Sequence, residues 1–206
     1  MNSLQTIIIS LPAVLLALSV HEFAHGYVAY RLGDPTPKYQ GRLTLNPLAH
    51  LDLIGTLMLI FFRFGWAKPV MVNPANFRMN QRKGMLYVAL AGPVSNILVA
   101  LIAAILYNLL IKFQAPYFWI VLAEALLVID IFLAIFNLIP IPPLDGSKVL
   151  AGLLPGHKQG IIYQLEAYGP FILIFLIITN IIGKILGPLV NGLLYFVMLI
   201  SHFIVG

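Results

Sequence analysis

Apolar and polar positions alternate along this chain in long blocks rather than short ones. A first apolar run extends from about Leu4 to Leu32, and Gly33, Asp34, Pro35 and Pro37 end it. Residues 34–50 (DPTPKYQGRLTLNPLAH) lose the helical period, Gly41 to Leu45 alternates as a strand would, and Asn46-Pro47 marks a turn. Leu51 to Phe62 is apolar but short for a membrane-crossing helix, which needs about 20 residues. Residues 63–83 mix prolines, glycines and basic side chains and read as a surface loop. Full-length apolar runs follow at Gly84 to Ile111, interrupted by Gly92-Pro93, and at Tyr117 to Leu138, which ends in NLIPIPPLDG. A short amphipathic piece at Ser147 to Leu154 precedes two last runs, Ile161 to Ile182 and Leu186 to Val205. The pattern predicts an all-α polytopic membrane protein: about five transmembrane helices, a re-entrant segment at Leu51 to Phe62, and a short membrane-associated β-strand or hairpin.

Composition sharpens that picture. The chain has 206 residues, 61 % hydrophobic and 9 % charged, with a mean hydropathy of +0.97. A water-soluble domain carries about 25 % charged residues, so an ordinary soluble enzyme, a nucleic-acid module and a disordered tail are excluded. The length suits one domain over 1–206, with a core of about 1–154 and C-terminal helices at about 161–205, and leaves no room for an appended soluble domain. No Lys or Arg precedes the first run, so it reads as a retained helix rather than a cleaved signal.

The net charge of +5 reports topology. If Leu51 to Phe62 returns to its own side, Arg31, Lys38, Arg42, Arg63, Lys68, Arg78, Arg82, Lys83, Lys148 and Lys158 share one face, against Lys112 and Lys184 on the other. That arrangement places the N-terminus outside and the C-terminus in the cytoplasm.

Cysteine is absent, so a thiol nucleophile or thiolate metal ligand is excluded, and a metal here needs His, Asp, Glu or backbone. His21-Glu22-Phe23-Ala24-His25 is H-E-x-x-H inside the first apolar run. Residues i and i+4 share a helical face, so both imidazoles reach one ion, while Glu22 stands beside the first ligand as a general base for water. Ionisable side chains at membrane depth are costly, which favours a functional reading over a packing one. A catalytic zinc needs a third protein ligand. Among only seven acids, Asp145 stands out, held by Pro142 and Pro143 in irregular backbone at the same end of the bundle. A plain helix-capping role is the alternative for Asp145.

HEFAH at 21–25, GPVSN at 92–96 and NLIPIPPLDG at 137–146, in that order, resemble the site-2 protease family of intramembrane zinc metalloproteases, and NPLAHLDLIG and KPVMVNPANFR resemble its compact bacterial subgroup without a PDZ domain. The resemblance implies one Zn2+ per chain on His21, His25 and Asp145, Glu22 as catalytic base, and Asn137 as a residue holding substrate or its oxyanion. It implies hydrolysis of peptide bonds within or near transmembrane segments of membrane-protein partners in the lipid bilayer, with no nucleic-acid partner. Asn96 and Asp130 are candidates for supporting the metal site from behind, with interhelical hydrogen bonding as the alternative for each. Gly41, Arg42, Leu43, Thr44 and Leu45 are the candidate edge for pairing with an unwound substrate. A membrane metal-ion transporter or a non-catalytic scaffold are the competing readings. The transporter does not need Glu22, and no paired half-repeat is visible.

Overall fold

A computed structural model describes residues 3–52, 54–55, 57–58, 67–155 and 159–206. The described elements are α1 (Ser3–Arg31), α2 (Thr36–Tyr39), α3 (Gln81–Lys112), α4 (Tyr117–Asn137), α5 (Asp145–Leu153), α6 (Gln159–Ile178) and α7 (Ile181–Val205), with 3-10 turns at Pro47–Ala49 and Pro74–Asn76. Among the described residues, four stretches are long and apolar enough to cross a bilayer: Leu11–Arg31, Gln81–Lys112, Tyr117–Asn137 and Ile181–Val205.

Helix α3 is the centre of the bundle and packs against α1, α4, α5 and α7. Its inner face is built from small residues: Ala89, Gly92, Asn96, Ala100, Ala103 and Ala104 are all buried. Lipid tails are as apolar as any side chain, so helices in a membrane associate through close backbone approach, and small residues permit it. Ala100, Ala103 and Ala104 form one cluster with Leu127 and Ile131 of α4 and Val197 of α7. Asn108 Nδ2 donates to Ser201 Oγ at 2.7 Å and ties α3 to α7 a second way. Large apolar side chains such as Leu98, Ile102, Tyr195 and Phe203 point outward, as lipid contact requires.

Two contacts fix the direction of α7. At its start, Ile182 and Leu186 pack with Leu144 of the proline-rich segment and Leu173 of α6. At its end, the Val205 carbonyl accepts from Lys112 Nζ, the last residue of α3. Helix α7 therefore runs parallel to α3. Helix α6 stays at the end of the bundle that holds the proline-rich segment, and an added Cβ at Gly169 in its middle would lie 2.7 Å from the Pro142 carbonyl oxygen.

The run Ile161 to Ile182 is expected as a full span; among the described residues it contributes a shorter apolar helix, Gln164–Ile178, beside the four that carry the length and hydropathy to cross. The joint between the last two helices moves, from about Gly183 to Thr179-Asn180. Asn180 adopts a left-handed φ of 55°, which asparagine tolerates better than most residues.

The strand expected over Gly41 to Leu45 is not formed. Gly41 takes a φ of 67°, the Arg42 backbone N–H donates to Pro37 O at 2.9 Å, and the Arg42 guanidinium donates to Ala49 O. His50 Nε2 donates to Thr44 O at 2.8 Å. Local hydrogen bonds thus close residues 41–50 into a loop in place of a ladder. The β-type contact lies further on, an antiparallel bridge between Leu51 and Ala67. Lys68 N–H donates to His50 O beside it, at 2.8 Å. The re-entrant segment expected at Leu51 to Phe62 falls largely outside the described residues. Leu51 and Ala67, on either side of it, pair with each other.

Candidate metal centre

The His21 and His25 side chains sit one turn apart on α1, both buried. Each donates its Nδ1–H away from the other: His21 to Asn96 Oδ1 at 2.6 Å, His25 to the Val88 carbonyl at 2.6 Å. Both acceptors lie on α3, on either side of Gly92. A Cβ at Gly92 would lie 2.5 Å from His21 Cε1 and 2.5 Å from His25 Nε2, so only glycine lets α3 come this close. Pro93 follows, and its missing N–H breaks the helical ladder where the two helices meet.

Asp145 arrives from the other direction. Helix α4 ends at Asn137, and Leu138 to Leu144 turn back through local hydrogen bonds, among them Ile141 N–H to Ile139 O at 2.8 Å. A Cβ at Gly146 would collide with the carbonyls of Leu138 and Ile139, so this glycine permits the fold-back. Asp145 opens α5 at the point of return, buried, with Lys148 Nζ 3.6 Å from its Oδ1.

The three side chains converge. His21 Nε2 lies 3.0 Å from His25 Nε2, and Asp145 Oδ2 lies 3.1 Å from the first and 3.0 Å from the second. With both Nδ1 atoms donating elsewhere, each Nε2 presents a lone pair. Two lone pairs and a carboxylate oxygen facing one point lack a shared hydrogen, and a cation supplies what they need. Tetrahedral zinc with bonds of 2.0–2.1 Å places its ligand atoms roughly 3.3 Å apart, so the set fits with small outward movements. Among the described residues this is the one group of three His, Asp or Glu side chains close enough to share an ion.

The centre opens into a cavity of about 330 Å3 whose lining includes Glu22, Asn137, Lys148 and the run Pro69 to Val72. Glu22 Oε2 accepts from the Val70 backbone N–H at 2.9 Å. That contact leaves the other carboxylate oxygen for water. Asn137 Nδ2 donates to Leu133 O of its own helix at 3.0 Å, and its amide lines the cavity. Asn96 and Asp130 are fully buried behind His21, on the side away from the cavity. Of the Gly41 to Leu45 group, Arg42 lines a neighbouring cavity of about 420 Å3 together with Gln40, Lys68, Pro69 and Met71. Pro69 and Met71 belong to both cavities.

Several contributors escape sequence reasoning. Val70 acts through a backbone N–H, which any residue but proline supplies, and Val88 through a carbonyl, which every residue supplies. Gly92 is legible as a helix interruption and as part of GPVSN, but not as the point where α3 meets the imidazoles. Asp34 joins the site to its surroundings. It is fully buried, accepts from Thr36 Oγ at 2.6 Å, Asn73 N–H at 2.7 Å and Asn76 Nδ2 at 2.8 Å, and so pins the segment that carries Val70 to the end of α1. Burial alone would raise its pKa. The donated hydrogen bonds outweigh that and hold the carboxyl below its ordinary value.

Comparison with known proteins agrees with this geometry. The model of peptidase family M50 matches residues 111–179. The chain is 39 % identical over 192 residues to the "Putative zinc metalloprotease YwhC" of Bacillus subtilis, covering 87 % of this chain and 84 % of that protein. It is 30 % identical over 178 residues to "Putative zinc metalloprotease Rip2" of Mycolicibacterium smegmatis, covering 82 % of this chain and 66 % of that protein. It is 32 % identical over 152 residues to "Putative zinc metalloprotease MJ0611" of Methanocaldococcus jannaschii, with 72 % of each chain covered. No solved structure matches. The apolar spans, the His-His-Asp centre and these relatives together identify a multi-pass membrane metalloprotease, and the chain belongs to peptidase family M50, the site-2 protease family.

Proposed function

We propose that this protein is a zinc-dependent intramembrane endopeptidase that cuts within or near transmembrane segments of other membrane proteins. The observation that carries the reading is the convergence of His21 Nε2, His25 Nε2 and Asp145 Oδ2 within 3.1 Å in a cavity that Glu22 also lines. His21, His25 and Asp145 hold the metal. Bound zinc lowers the pKa of a coordinated water to about 7 and polarises a carbonyl. Glu22, positioned by the Val70 N–H, takes the proton from the attacking water and delivers it to the leaving amine. The Asn137 amide has a second N–H free of its helical bond, and from the cavity wall it donates to the oxygen that gains charge.

The substrate arrives as a helix, and each backbone group freed inside lipid costs several kcal/mol unless it is paired again. The Pro69 to Val72 backbone lies beside the reacting groups and takes the main share of holding an unwound segment. The Gly41 to Leu45 loop supports it from the side, through Arg42 in the adjoining cavity.

Orientation follows from charge. Arg31, Lys38, Arg42, Lys68, Arg78, Arg82, Lys83, Lys148 and Lys184 gather at the end of the bundle where the cavity opens, and Lys112 sits at the other. The positive-inside rule puts the cavity mouth in the cytoplasm of a bacterial inner membrane and both chain ends outside.

The test is Glu22→Gln in the full chain. It is expected to keep stoichiometric zinc and to stop cleavage, with uncleaved membrane substrates accumulating in a mass-spectrometric comparison of membranes. Undiminished cleavage, or a parent protein that binds no zinc, refutes the reading.

A further inference from the structure

Behind the metal centre a line of polar groups runs inward through three helices. His21 Nδ1 donates to Asn96 Oδ1 at 2.6 Å, and Asn96 Nδ2 donates to Asp130 Oδ1 and, at 3.3 Å, to the Ala17 carbonyl. Asn96 and Asp130 have no exposed surface. The second Asp130 oxygen has no hydrogen-bond partner among the described residues. The cavity does not reach this far: neither Asn96 nor Asp130 lines it.

Interhelical adhesion explains this arrangement poorly. A carboxyl group buried among apolar helices is expensive, and such groups mark functional sites more often than packing contacts. Adhesion is also indifferent to which end of an amide points where. Here the ends are not interchangeable. Oxygen acceptors on Asp130 and Ala17 draw the NH2 end of Asn96, so its oxygen turns to His21. An oxygen at that point demands that His21 carry its proton on Nδ1. The lone pair is then on Nε2, the atom facing His25 and Asp145. His25 is set in the same way by the Val88 carbonyl.

We propose that Asp130 is a positioning residue for the metal centre, acting through Asn96 to fix the ring tautomer and orientation of His21. The inference rests on the metalloprotease reading and assigns Asp130 no contact with substrate or metal. The chain is carboxyl to amide to imidazole, one residue longer than the direct carboxylate–histidine–metal arrangement common around zinc. An acceptor oxygen at position 130 is the feature that matters, so an amide there serves and an alkyl group does not.

The experiment uses the full chain in detergent with three variants: Asp130→Leu, Asp130→Ala and Asp130→Asn. Zinc affinity is measured by chelator competition, and the ligand field by the visible spectrum of the Co2+-loaded protein. Circular dichroism reports that the helices persist. Asp130→Leu and Asp130→Ala are expected to lose roughly 10–100-fold in zinc affinity and to shift the Co2+ spectrum, the usual cost of removing such a support. Asp130→Asn is expected to remain close to the parent in both. In the zinc-free parent, nitrogen-15 NMR of the histidines is expected to show His21 with its proton on Nδ1.

Folded Leu and Ala variants with parental zinc affinity and an unchanged Co2+ spectrum would overturn the proposal, leaving Asp130 as adhesion alone. A parent with the His21 proton on Nε2 would overturn it without any variant. A parent that binds no zinc would instead refute the metalloprotease reading itself, which keeps the two failures apart.

Discussion

Lys112 Nζ donates to the carbonyl of Val205 at 2.7 Å, joining the last residue of α3 to the last of α7. Two helices whose C-terminal ends meet run in the same direction, and the side of the membrane that receives Lys112 also receives the chain's C-terminus. The chain has no cysteine, so single introduced cysteines can test this. Phe113→Cys and Gly206→Cys are expected to react with a membrane-impermeant maleimide from one side, and Arg78→Cys only from the other. Labelling of Gly206→Cys together with Arg78→Cys would contradict the parallel course of α3 and α7.

Gly92 sets how near α3 comes to the imidazoles. A methyl group there would approach His21 Cε1 and His25 Nε2 to 2.5 Å, and real side chains do not come that close. Gly92→Ala is expected to displace both rings and reduce zinc affinity by on the order of tenfold or more, as disturbed ligand support does elsewhere. The same clash acts in the zinc-free protein, so its melting temperature is expected to fall as well, through an overpacking cost of about 1–3 kcal/mol. Metal titration alongside a melting curve separates the two effects.

Val70 offers a test that leaves every side-chain ligand in place. Its backbone N–H holds Glu22 at 2.9 Å, and proline deletes that donor. A hydrogen bond to a charged group contributes about 1.5–3 kcal/mol, so Val70→Pro is expected to lower kcat by roughly 10–100-fold at unchanged zinc content. Val70→Ala keeps the N–H and should behave as the parent. Equal loss in both variants would attribute the effect to the side chain.

Asp34 makes stability depend on acid. Its carboxyl is held below the ordinary carboxylate value by the donors around it. Its contribution is therefore complete above about pH 4, the unfolded carboxyl's range, and disappears as pH falls through the lower folded value. Asp34→Asn is expected to destabilise the protein by about 1–3 kcal/mol near neutral pH, because an amide cannot accept all the bonds now donated to it. The variant should also show a flatter acid limb when melting temperature is followed from pH 6 to pH 3. A parent and variant with parallel curves would contradict the assignment.

What could be read from the residues alone is the chemistry and the rough lengths. H-E-x-x-H puts two imidazoles on one helical face whatever surrounds it, because the α-helix repeats every 3.6 residues. Apolar runs of the right length announce spans for an equally local reason. The pairing of His21 with Asp145 was suggested by residue types, and its geometry was not, since 124 positions separate the two.

Direction and partnership belong to the tertiary structure. Hydropathy measures how much of a run prefers lipid and says nothing about what it packs on, so the contacts of α6 with Pro142 and Leu144 had no signal in the pattern. Alternation suggested a strand at Gly41 to Leu45, but bonds from Arg42 and His50 to nearby carbonyls satisfied that backbone locally. The supports of the metal site follow the same rule. The Val70 N–H, the Val88 carbonyl and the Asn96 to Asp130 line depend on which backbone and side-chain atoms meet across α1, α3 and α4. Hydrogen bonds between distant segments form only where packing has already brought their donors and acceptors to about 3 Å, and no local pattern encodes that distance.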